Sequence, residues 1–215
     1  MRPRARPVVT LRPADVIGSG LCVGCGSCVA LAPEGTAGMA MDDYGELHPA
    51  GTKDWREHPS ARLARTCPSS PTAANETEIA RDAFSQAQHE DAHVGRYIGA
   101  FVGHAAEPGW REAGSSGGMA SWVAAELLRR GLVDAVAHVK PVQDPQGEGR
   151  FFRYGISREV GELASGSKSR YYPVDMAEVL RTIRDVPGRY AVVGIPCFVK
   201  AVQLLRRDDP VLRER

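Results

Sequence analysis

Cys22, Cys25 and Cys28 stand at strict three-residue intervals in the stretch LCVGCGSCVALAP, Leu21 to Pro33. Thiolates at that spacing can wrap one face of a cubane iron–sulfur cluster. They open the run Cys-x2-Cys-x2-Cys-x3-Cys-Pro, whose fourth cysteine ligates the other cluster where there are two. Here the proline is in place at Pro33, but Ala32 precedes it. A second cluster is therefore not expected, and the first must take its fourth ligand from elsewhere. Cys67-Pro68, in RTCPSS, supplies one. Counting back from Cys67 by the same spacing reaches Leu63, Ser60 and Glu57, so this second run keeps only the ligand that the first cluster lacks. The expected centre is a single 4Fe-4S cluster on Cys22, Cys25, Cys28 and Cys67. The competing reading is zinc, because four thiolates also close a tetrahedral zinc site and His58 or His48 could enter as a ligand. Zinc sites favour two separated Cys-x2-4-Cys pairs, and the triplet with a distant Cys-Pro fits the cubane better.

Three more stretches carry candidate chemistry. AGSSGGM, Ala113 to Met119, opens an expected helix. Small residues at a helix start leave backbone N–H groups free for an anion, and the dipole favours one. Ser115, Ser116, Gly117 and Gly118 are thus candidate phosphate holders, against the plain alternative of an ordinary cap. ASGSKSRYY, Ala164 to Tyr172, places Gly166, Ser167, Lys168 and Ser169 in a second small-residue loop with Arg170. It could hold a diphosphate or an anionic ring, or simply be a solvated loop. VVGIPCF puts Gly194, Pro196 and Cys197 where a strand gives way to a helix. That is where α/β folds bind ligands and where a thiol becomes more acidic and more reactive. The alternative for Cys197 is a buried structural cysteine.

The elements that must position these residues follow from pattern. Residues 15–70 read as a small, loop-rich unit holding four of the five cysteines, and PSSPTAAN, Pro68 to Asn75, reads as a boundary. ETEIARDAFSQAQHEDAH reads as a polar helix anchored by Ile79 and Phe84, within a connector over 71–94. RYIGAFVGH reads as a strand at the start of an α/β part over 95–215. Then come a helix with Met119, Trp122, Val123 and Leu127 on one face and Gly131 as its stop, a strand in LVDAVAHVK, and a further strand in FFRYGI. VDMAEVLRTIRDV is amphipathic through Met176, Val179, Leu180 and Ile183, with Asp175 and Glu178 in capping-box spacing. RYAVVGIPC and FVKAVQLLRR complete a strand–turn–helix unit. Strands alternating with helices predict an α/β layer with parallel pairing.

The bulk numbers restrict the function classes. The chain has 215 residues, 43% hydrophobic and 25% charged, which reads as soluble and globular. A net charge of +1 gives nucleic-acid binding no electrostatic support. No uninterrupted apolar run approaches the roughly 18 residues of a membrane span. The start, MRPRARPVVTLRP, carries Arg2, Arg4, Arg6 and Arg12 without a secretory apolar stretch, and reads as a solvated basic tail. Five cysteines, three of them within seven residues, make poor disulfide arithmetic and good metal-site arithmetic, which suits a reducing cytoplasm.

Taken in chain order, CVGCGSC, DDYGELHP, RYIGAFVGH, GSSGGMASWVAAELLRRGLVDAVAHV, ASGSKSRYYPV and YAVVGIPCFVKAVQLL resemble the coenzyme F420 hydrogenase/dehydrogenase beta-subunit family. The resemblance implies an iron–sulfur flavoprotein that binds FAD. It would pass electrons between a hydride carrier, often coenzyme F420, and a one-electron chain or partner subunit. Relatives include beta subunits of hydrogenases and formate dehydrogenases and a plant-type hydroxymethyl chlorophyll reductase. Ala32 stands where many members have a cysteine, so their cluster count does not transfer. The chain also ends at RRDDPVLRER, soon after the GIPC helix, where members usually continue, so the expected α/β flavin domain lacks the family's C-terminal region. In this reading the glycine turns hold the FAD phosphates and Cys197 lies beside the flavin. Cys197 could instead replace Cys67 as a cluster ligand if the N-terminal unit folds against the same crevice. Two other functions compete: a zinc-stabilised binding or assembly module, and a partner protein that keeps the cluster without flavin.

Overall fold

The computed structural model describes residues 9–215. Arg2, Arg4 and Arg6 of the basic start lie outside the described residues. Arg12 does not behave as tail: its guanidinium meets Asp15 at 2.6 Å and Glu57 at 3.0 Å, tying the chain start to the fold.

The first part is built of short pieces. Helix α1 (Pro13–Gly18) precedes the cysteine loop, and α2 (Ser27–Ala30) is its last turn. A hairpin follows, β1 (Ala37–Met41) against β2 (Leu47–Gly51), then α3 (Lys53–Glu57) and α4 (Ala61–Thr66). Thr52 and Ser60 cap these last two helices through their hydroxyls. The polar connector is shorter than its sequence suggested. Helix α5 (Glu76–Ala83) keeps Ile79 buried, but Phe84 is exposed and the chain turns into a second hairpin, β3 (His89–Asp91) with β4 (Gly95–Tyr97). The expected strand in RYIGAFVGH stops at Tyr97. Ile98 to His104 is irregular, with Phe101 and Val102 in solvent, because no neighbouring strand is there to pair with it.

The α/β part begins with α6 (Trp110–Ala113) and α7 (Met119–Arg129), which stops at Gly131 (φ +60°) as its sequence predicted. Strand β5 (Ala135–Pro141), α8 (Pro145–Glu148) and β6 (Phe152–Ser157) follow; then come α9 (Val160–Ala164), α10 (Ala177–Asp185), β7 (Tyr190–Val192), α11 (Pro196–Asp208) and α12 (Pro210–Glu214). The sheet order is β6-β5-β7. Only β5 and β7 are parallel; β6 runs antiparallel to β5. The expectation of uniformly parallel pairing fails because the chain between β5 and β6 is too short for a crossover, whereas α9 and α10 supply one before β7.

Both faces of β5 are covered. Ala137 and Tyr154 face Met176, Val179, Leu180 and Ile183 of the α10 segment and Phe198, Ala201 and Leu205 of α11. Val136 faces Ala124, Ala125, Trp110 and Leu163. The apolar stripe of α10 was read correctly, and that of α7 only in part, since Trp122 packs on the core. Small Ala124 and Ala125 make its close contact, while Met119 and Val123 stay 42% and 43% exposed. The capping box of α10 is also absent. Asp175 accepts a hydrogen bond from the Ala177 N–H at 2.9 Å, but Glu178 points away, toward Arg153.

The cysteine loop shares the larger core. Cys25 and Ala30 pack in it with α10 and α11 residues. The Met176 N–H donates to the Cys25 carbonyl at 3.0 Å, and Arg181 donates to the Val29 carbonyl at 2.7 Å. Arg62 of α4 meets Asp208 at 2.6 Å and Asp209 at 3.1 Å, and Lys200 meets Glu76 at 3.0 Å. These contacts fix the cysteines against the end of the sheet.

Candidate functional site

The two glycines of CVGCGSC explain how the cysteine loop is wound. Gly24 and Gly26 have φ of +64° and +77°, a region that side chains disfavour. A Cβ on Gly24 would meet the Leu47 carbonyl oxygen at 2.6 Å, and one on Gly26 the Ala177 nitrogen at 2.9 Å. The loop therefore lies directly on β2 and on the start of α10. It turns Cys22, Cys25 and Cys28 inward, and Cys67, just past α4, comes to the same cleft beside Leu63, Pro68, Pro13 and Ile17. All five cysteines are free thiols. Neither His58 nor His48 lines this cleft; His58 borders a separate depression with Ala32 and Trp55.

The donor set fits a cationic centre. Burial pushes all four thiols up, Cys25 to about 11, and thiolates at Cys22, Cys25 and Cys67 would raise Cys28 further. Four such sulfurs ionise together only if a metal or cluster compensates them. Among the described residues, no three cysteine sulfurs lie within 4.8 Å of one another; the only such ligand trio is Asp42, Glu46 and His48 at the β1–β2 hairpin. Zinc with bonds of about 2.3 Å would draw tetrahedral sulfurs to about 3.8 Å apart.

A cavity of about 720 Å³ opens on the other side of this loop. It lies at the carboxyl ends of the parallel strands β5 and β7, the position where α/β folds take ligands. Cys22 and Val23 belong to its wall and to the thiol cleft at once. Ala120 and Ser121, in the first turn of α7, face it, as do Gly45 to His48, Tyr154 and the loop Gly166–Tyr172. The size falls within the range of small-molecule sites.

The loop from Gly166 makes the cationic side. Lys168 and Arg170 both line the cavity, and the Arg170 guanidinium stacks on Phe152 at 5.0 Å. Its Nε is buried without a hydrogen-bond partner, which suits an anionic ligand. The Ser169 N–H donates to Ser115 Oγ at 2.8 Å, tying this loop to the start of α7.

Gly166, Ser167, Lys168, Ser169 and Gly194 are thus brought to the cavity. Ser115, Ser116, Gly117 and Gly118 are not in its lining. A Cβ on Gly118 would collide with the Trp110 carbonyl at 2.3 Å, and one on Gly117 would come to 3.0 Å from the Gly103 oxygen, so these glycines serve close packing of the α7 start. Pro196 opens α11 and Cys197 is half-buried against the larger core. Neither lines the cavity or the thiol cleft, where Ile195 and Phe198 take the cavity positions.

Sequence reasoning passed over His138, Ser121 and Tyr154. A histidine inside the buried strand LVDAVAHVK was the available signal. His138 is 5% exposed, lines the cavity and has Nε2 2.8 Å from Ser157 Oγ. Burial, then the charge of Lys140, hold its pKa down at about 4. The unfolded chain therefore binds this proton more tightly than the folded one. Stability from this group is complete above about pH 6.5 and is lost as pH falls toward about 4, at up to about 1.4 kcal/mol per pH unit. Denaturant titrations of the cofactor-free protein between those pH values should show this slope, and His138→Gln should flatten it.

Residues 100–181 match the family described as coenzyme F420 hydrogenase/dehydrogenase, beta subunit N-term. Over this segment the match supports the resemblance read from the motifs. The match covers α6 to α10, and so much of the cavity wall, but none of the five cysteines. No curated protein matches the chain. No helix among the described residues is long and apolar enough to cross a membrane.

Proposed function

We propose that the protein is an iron–sulfur flavoprotein that converts hydride transfer into single-electron transfer. One observation carries the reading: Cys22 and Val23 form a common wall between the four-thiol cleft and the large cavity. FAD bound in the cavity would supply two-electron chemistry and a 4Fe-4S cluster on Cys22, Cys25, Cys28 and Cys67 would supply one-electron transfer. The first turn of α7 and the cationic loop orient the phosphates, with Lys168 and Arg170 as the charged contacts. Apolar Ile195, Phe198 and Val139 exclude water from the reacting end. In this reading residues 15–70 hold the cluster, 71–94 connect, and 95–215 hold the flavin. The hydride carrier is of the coenzyme F420 class and the electrons leave to a partner subunit in the cytoplasm.

Anaerobically purified protein should contain about four irons and four acid-labile sulfides per chain, with bound flavin in the visible spectrum. Zinc in place of iron and sulfide would overturn the cluster. Iron and sulfide without flavin would leave a cluster-bearing partner protein.

A further inference from the structure

The cavity wall holds a buried polar pair that its ligand contacts do not explain. His138 sits in the middle strand of the sheet, and its Nδ1–Cε1 edge faces Gly166 so closely that a Cβ there would stand 2.7 Å from both atoms. Its Nε2 meets Ser157 Oγ at 2.8 Å. This pairing follows from register. Ser157 stands opposite Val136, and the residue opposite His138 is Gly155, so the two side chains meet diagonally on one face. Ser157 is wholly buried, and the Glu162 carboxylate of α9 lies near its hydroxyl, which together with the Arg158 N–H helps hold that carboxyl below its usual range. Glu162 is exposed and is held in place by the Arg158 N–H at 2.9 Å.

We propose that His138, Ser157 and Glu162 form a proton relay that carries protons between the cavity and solvent, an inference that rests on the function proposed above. A hydride that enters as one unit and leaves as two single electrons leaves one proton behind (H⁻ → H⁺ + 2e⁻). The electrons pass through the cluster to a one-electron acceptor, and the cluster cannot carry the proton. With the Ser157 hydroxyl donating to Glu162, its oxygen accepts from His138 Nε2–H, and Nδ1 is the free base on the cavity side. A proton then bonds to Nδ1 as Nε2–H breaks toward Ser157 Oγ. The Ser157 hydroxyl proton passes to the Glu162 carboxylate and from there to water.

The surroundings favour transit over storage. Lys140 on the same strand opposes protonation of the ring, Glu162 from α9 favours it, and the Val139 carbonyl stabilises the protonated ring. From α7 comes apolar Ala124, and from the loop Gly166.

Two measurements test the relay. Photoreduced holoprotein is reoxidised by ferricenium in a stopped-flow instrument, in H2O and in D2O. His138→Gln and Ser157→Ala should slow reoxidation per bound flavin about a hundredfold and enlarge the solvent isotope effect, with iron content unchanged. Glu162→Gln, at an exposed position that spares the fold, should slow it less and shift its pH profile. Wild-type rates and isotope effects in Glu162→Gln overturn the relay, even if the buried variants fail to fold. The second measurement is ¹⁵N NMR of the cofactor-free protein. His138 should carry its proton on Nε2, and its titration midpoint should fall in Glu162→Gln. A proton on Nδ1, or an unmoved midpoint, overturns the relay independently of flavin. Absence of flavin from purified protein overturns instead the function on which it rests.

Discussion

Replacing Cys67 with serine should cut the iron of anaerobically purified protein from about four per chain to below about one. Cys197→Ser should leave it unchanged. The sequence allowed either cysteine as the fourth ligand, and geometry now separates them. Cys67 follows α4 at the thiol cleft with Cys22, Cys25 and Cys28, while Cys197 lies in the first turn of α11 outside that cleft. The Cys67 N–H bond to the Leu63 carbonyl, 2.9 Å, is a backbone contact that serine keeps, so loss of iron would report the missing sulfur rather than a broken helix end. The pH dependence should agree. Because burial raises all four thiols, cluster assembly must expel their protons, and reconstitution should strengthen as pH rises. Iron retained in Cys67→Ser and lost in Cys197→Ser would move the fourth ligand to α11.

The grouping of four thiols in one cleft was legible because cysteine is chemically rare and the spacing of three of them is local. Pro68 after Cys67 marked the distant partner as well. What the sequence hid was contact between parts far apart in the chain. Gly24 and Gly26 looked like loop residues, but each is required where the loop touches Leu47 or Ala177. The helix-start glycines looked like phosphate holders, but Gly118 is needed because the Trp110 carbonyl passes over it. Periodicity located α10 well, since Val179, Leu180 and Ile183 are large and all buried. It held only in part on α7, where Ala124 and Ala125 make the close contact, Trp122 packs beside them and Met119 and Val123 stay outside. His138 escaped because a lone histidine in a strand is ordinarily core, and only the position of Ser157 across the sheet gives it a partner.

The cavity makes the second large prediction. Gly166→Val should weaken flavin binding at least about a hundredfold, or about 2.7 kcal/mol, while iron content stays at the wild-type level. The backbone at Gly166 is in no left-handed conformation, so the cost is one of space. A Cβ there would stand 2.6 Å from the Val139 carbonyl oxygen and 2.7 Å from the His138 ring. Those atoms belong to the central strand and to a buried side chain, and neither can withdraw without breaking the sheet or the core. The loop must move instead, carrying Lys168 and Arg170 with it and pulling Ser169 from Ser115. The thiol cleft lies behind the Cys22–Val23 wall, against β2 and α10, so the iron content should not sense the change. Gly117→Val is the matched control. Its Cβ would crowd Gly103 and His104, outside the cavity lining, and should disturb the start of α7 with a smaller loss of flavin. Flavin held by Gly166→Val at wild-type affinity would mean that the ligand does not occupy this cavity. Equal losses in both variants would instead place the phosphates at the Ser115–Gly118 turn.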